Sequence, residues 1–117
     1  MNFDETSEFS KDFKRLLKKY KSLPDDILEF KKVILKSPLG TGRSFTVLIA
    51  EEDIKIIKAR LFCRYLKGFS LRIIYAYCEI KRRIEFIQLY FKGNRGREDM
   101  GRIKGYLDDL KYGVNPG

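Results

Sequence analysis

With 117 residues the chain has the length of one domain, and its composition, 44% hydrophobic and 35% charged, is that of a folded globular protein and excludes a disordered chain. A net charge of +9 points to a polyanionic partner, with nucleic acid ahead of an anionic membrane or an acidic protein. The absence of histidine removes the commonest general base and, without a CxxC pair, leaves a transition metal almost nothing to bind, so no metal and no cofactor are expected.

No apolar run approaches the ~20 residues of a membrane span, and MNFDETSEF has neither the basic start nor the apolar centre of a signal peptide. A cytoplasmic location with no membrane partner is the expectation. Residues 2–5 predict a short first strand, and Thr6 or Ser7 is placed to cap the helix after it. In that helix Phe9, Phe13, Leu16, Leu17 and Tyr20 recur every three or four residues as an apolar stripe, while Lys11, Lys14, Arg15, Lys18, Lys19 and Lys21 read as a solvated face. Pro24 restarts a helix, with Asp25 and Asp26 complementing the positive end of its dipole and Leu23, Ile27, Phe30, Val33 and Ile34 as its stripe; Ser37-Pro38 stops it.

Residues 39–55 read as a loop at Gly40 and Gly42, with SFTVLIA as a loop or an additional strand. GTGRS lacks the ending of a phosphate loop. From Ile57 to Leu66 apolar and basic residues alternate: Ile57, Ala59, Leu61, Cys63 and Tyr65 on one side, Lys58, Arg60 and Arg64 on the other. LRIIYAYC repeats the alternation, with Tyr75 and Tyr77 as core residues, and RIEFIQLYFK puts Gln88, Tyr90 and Lys92 on its even side. If 71–78 and 84–92 pair in an even-sum register, Arg72 lies opposite Tyr90, and one sheet face gathers Lys58, Arg60, Arg64, Arg72, Tyr90 and Lys92. Cations beside an aromatic ring on a rigid sheet suit a polyanion with exposed bases. Cys63 and Cys78 fall on opposite faces, which disfavours a disulfide. A last helix, Arg97 to Lys111 and extending to 112, carries Met100, Ile103, Leu107 and Leu110 on one side; Gly101 and Gly105 predict a mobile element, ended by Gly113 and Pro116.

The expected fold class is therefore α+β: one domain over residues 1–117, an N-terminal helical hairpin on a mainly antiparallel twisted sheet of four or so strands, and a C-terminal helix. FSKDFKRLLKKYKSLPDDILEF, IKARLF, LRIIYAY and IEFIQLYFKG, in this order, resemble the RelE/ParE toxin superfamily of toxin–antitoxin systems. The resemblance implies a toxin that enters the ribosome and cuts mRNA, with a cognate antitoxin protein, the ribosome and mRNA as partners and no small-molecule cofactor. It maps Lys58 and Arg60 onto the cations of a central strand, Arg72 onto the arginine opening the next, and Lys92 onto the basic residue ending the last. The stacking tyrosine of the C-terminal segment has no counterpart near 97–100, leaving Tyr90 or Tyr106 as substitutes. On this basis the catalytic set is Lys58 as general base, Arg60 and Arg72 as phosphate and transition-state stabilisers, and Lys92 at the leaving group. Arg64, Lys67, Tyr90, Arg95 and Arg97 are the expected RNA contacts. The alternatives are a gyrase-directed binding toxin of the ParE type, or a degenerate member that keeps only RNA or antitoxin binding.

Overall fold

The computed structural model describes residues 1–112, so Gly113 and Pro116 lie outside the described residues. The chain runs β1 (Asn2–Glu5), α1 (Ser7–Leu17), α2 (Leu23–Lys36), β2 (Phe45–Ala50), β3 (Lys55–Cys63), β4 (Gly68–Cys78), β5 (Arg83–Phe91) and α3 (Met100–Lys111). The strands form one sheet in the order β1-β5-β4-β3-β2. Only the β1–β5 pair is parallel; the other three are antiparallel. The sheet has five strands where about four were expected, because FTVLIA pairs with β3 along the open edge.

Thr6 caps α1, its hydroxyl accepting from the Phe9 N–H. The α1 and α2 stripes bury Phe9, Leu16, Leu23, Ile27, Phe30 and Ile34 against the odd positions of the sheet, Ile57, Ala59, Leu61, Ile73 and Tyr75. Each large side chain so buried contributes ~1.5–3 kcal/mol. Val33, assigned to the α2 stripe by its spacing, is 52% exposed, because the helix rolls so that Phe30 and Ile34 meet the sheet. Gly40, at φ +72°, lets the chain turn into β2, and a Cβ there would strike the Phe45 ring.

Two departures from simple alternation shape the other face. A bulge between Ile74 and Tyr75 shifts the β4–β5 register by one residue, so Arg72 opposes Tyr90 as expected but Tyr75 opposes Phe86. Even-numbered Ile56, Ile74 and Ala76 are also apolar and buried, together with Ile87, under Ile103 and Leu107 of α3. The face expected to be basic is thus divided: α3 covers one half and the cations keep the other.

β3 ends at Cys63, not Leu66, so Arg64 and Lys67 belong to the turn and not to the sheet face. That turn is pinned from below, since the Arg64 N–H donates to Asp26 Oδ1 and the Tyr65 N–H to Ser22 Oγ. The last helix begins at Met100, with the Asp99 carboxylate accepting from the Arg102 N–H, and Leu110 is left half-exposed.

Candidate functional site

The uncovered half of the even face is a shallow hollow of about 230 Å³ lined by Arg43, Lys58, Arg60, Arg72, Tyr90 and Lys92, with Ser44 and Thr46 at its β2 edge. Arg60 and Arg72 are direct partners across β3 and β4, and Arg72 faces Tyr90 across β4 and β5. The Arg60 N–H donates to Ser44 O at 2.9 Å, which carries the β2 edge far enough to bring Arg43 alongside. The Lys92 N–H donates to Ser70 O, fixing the end of β5 beside β4. Strand pairing, and not side-chain contact, is what crowds these like charges together. Arg72 reports the crowding: burial first, and then the charge of Arg60, pull its guanidinium below the ordinary arginine value, while Tyr90 opposes them. It stays charged at any physiological pH. Two of its hydrogen bonds run back to the Phe69 and Leu71 carbonyls, which hold the guanidinium in place.

The four expected catalytic side chains, Lys58, Arg60, Arg72 and Lys92, thus meet in one hollow. Lys58, however, is a donor: its Nζ lies 3.1 Å from Glu98 Oε2. An ammonium that donates in an ion pair has no lone pair with which to take a proton. Glu98 comes from the loop between β5 and α3, and the loop is anchored where the Asp99 N–H donates to the side-chain Oε1 of buried Gln88 at 2.9 Å.

The expected RNA contacts separate. Tyr90 lines the hollow but is only 5% exposed and packs into the cluster under α3, so its ring has no free face for a base. Burial, then Glu98, push its hydroxyl up, against the lowering effect of Arg72 and Arg95. Tyr106, the other substitute, donates to Glu85 Oε1 beneath α3, away from the hollow. Arg95 and Arg97 are exposed on the β5–α3 loop, the Arg95 Nε–H donating to Arg97 O. Arg64 and Lys67 are exposed at the far turn. Cys63 and Cys78 are both free thiols. Arg43 and Glu98 were not anticipated; both lie in loops, where alternation gives no face.

No protein-family model matches the sequence, and no curated protein matches it. The structure is similar to a chain of the archaeal RelE–RelB complex from Pyrococcus horikoshii, with a TM-score of 0.60, 19% identity, and coverage of 79% of this chain and 94% of that one. The order of elements, the helical hairpin on one face of a mostly antiparallel sheet and α3 across the other agree with that likeness, and the chain has the RelE-like fold.

Proposed function

We propose that this protein is the toxin of a type II toxin–antitoxin pair and acts as a ribosome-dependent endoribonuclease on mRNA, neutralised by a cognate antitoxin. The observation that carries the reading is the meeting of Lys58, Arg60, Arg72 and Lys92 in one hollow of a RelE-like sheet. Arginine forks at fixed spacing match phosphate oxygens, and the hollow is too shallow and too polar for an apolar small molecule.

In the proposed reaction the RNA 2′-oxygen attacks the adjacent phosphorus as the bond from phosphorus to the 5′-oxygen breaks, leaving a 2′,3′-cyclic phosphate and a 5′-hydroxyl end. Arg60 and Arg72 stabilise the charge that builds on the phosphorane oxygens. The 2′-hydroxyl proton passes to the Lys58–Glu98 pair, where the carboxylate holds the available lone pair, and the Lys92 ammonium donates a proton to the departing 5′-oxygen. Glu98 is held below the usual carboxylate range and is a weak base, so alignment of the RNA supplies the larger share of the acceleration.

The test is mapping of mRNA 5′ ends in a translating extract. The wild-type protein is expected to give discrete, codon-phased cuts, and Arg72→Ala to reduce them by ~10²–10³-fold, the usual cost of losing one transition-state donor. Intact mRNA with defective DNA supercoiling would overturn this reading in favour of the gyrase-directed one.

A further inference from the structure

Beyond the cation hollow, toward the β3–β4 turn, two large aromatic side chains stand in solvent. Phe62 is 43% exposed and Phe69 is 53% exposed, and their rings meet edge to face with centroids 5.2 Å apart. The pair stands at a groove of about 740 Å³ whose sheet side carries Arg60 and Arg64 and whose α2 side carries Asp25, Asp26 and Glu29, so a polyanion can follow only the sheet side. Leaving two phenyl rings half exposed forgoes about half of the ~1.5–3 kcal/mol that full burial of each contributes, so their position calls for an occupant.

Continuity with the hollow identifies its chemistry. Arg60 and Ser44 line both the hollow and the groove. Arg72 donates to the Phe69 carbonyl, which ties the guanidinium of the hollow to the backbone that carries the second ring. Arg64 flanks the rings, and the turn that carries them is held to α2 by Asp26 and Ser22. Such an arrangement offers phosphate contacts followed, along the sheet side, by half-exposed aromatic rings. It also supplies what Tyr90 and Tyr106 do not, an accessible ring.

We infer that Phe62 and Phe69 form a stacking platform for the unpaired bases of a single-stranded RNA whose phosphates lie in the Arg60–Arg72 hollow. This rests on the RNA reading above and extends it to a second subsite. Aromatic side chains accept any base by its π-face, so the platform binds RNA with little sequence preference.

The experiment uses the full chain and a single-stranded RNA oligonucleotide carrying 2-aminopurine, whose fluorescence is quenched on stacking. Wild-type protein is expected to quench it on binding. Phe62→Ala with Phe69→Ala is expected to abolish the quench and weaken affinity about tenfold, whereas Arg72→Ala weakens affinity but leaves the quench at saturation. Phe62→Leu with Phe69→Leu keeps apolar volume without a π-face, and loses the quench too, which guards against a folding defect in the alanine variant. An unchanged quench and affinity in both double variants overturns the platform while leaving the RNA reading intact, and assigns the groove to a protein partner. Failure of the wild-type chain to bind RNA overturns both.

Discussion

The Glu98 carboxylate brings a negative charge to the hollow through its pair with Lys58. Burial alone would raise its pKa; hydrogen bonding to its own backbone, then Lys58 and Arg97, outweigh that and hold it below the usual carboxylate range. Its contribution to stability is therefore present above the ordinary glutamate pKa and is lost as pH falls through the lowered folded-state value. The same carboxylate opposes an incoming phosphate for as long as it is ionised. Replacing Glu98 by Gln is expected to tighten binding of a uridine oligonucleotide at neutral pH by about five- to tenfold, the scale of one ordinary hydrogen bond. Wild-type affinity should rise toward that of the variant only below the ordinary carboxylate range. A fluorescence-anisotropy titration across pH reads both effects, and equal affinities at neutral pH would exclude the competition.

Element by element, the fold depends on how α3 is docked. Two glycines within α3 weaken it, but Arg102 clamps it to the body: Nη1 lies 2.6 Å from Asp12 Oδ2 in α1 and also donates to Ile87 O. Asp12 is buried, and it also accepts from the Leu89 N–H at 3.0 Å, so one carboxylate joins α1, β5 and α3. Asp12→Ala is expected to cost about 3 kcal/mol in urea unfolding, because it leaves a guanidinium and a backbone N–H poorly paired in the interior. Faster amide exchange in α3 than in β4 should accompany it, and a loss below about 1 kcal/mol would show that apolar packing alone docks the helix.

The same elements show what was legible in the sequence. Alternation along β3 and β4 specified which residues share a face, and the three-and-four spacing specified the helical hairpin, because each pattern is a local consequence of backbone geometry. The β4–β5 bulge breaks the alternation of β5, where Ile84 and Phe86 share the helical-hairpin face with Leu89 and Phe91 while Ile87 lies under α3; a single parity applied to the whole strand passed over it. Asp12 gave no signal among its lysine neighbours, because its partner lies 90 residues away, beyond any periodicity. Glu98 escaped for the same reason, its position over Lys58 being set by Gln88 and Asp99.

At the scale of the whole molecule, two separate surfaces concentrate positive charge. Exposed lysines of α1 form one, on the layer that covers the odd face of the sheet, and the hollow of Lys58, Arg60, Arg72 and Lys92 forms the other, on the even face. A net charge of +9 draws RNA to both by long-range attraction, which salt screens. Of these two surfaces, the hollow holds its cations at spacings fixed by strand pairing. Side-chain NMR of the arginines and lysines during titration with single-stranded RNA distinguishes the two surfaces directly. The expected result is saturable shifts at Lys58, Arg60, Arg72 and Lys92 at ~0.15 M salt, with Lys11 and Lys14 of α1 unmoved. Saturable shifts confined to the α1 lysines, with the hollow silent, would contradict the account.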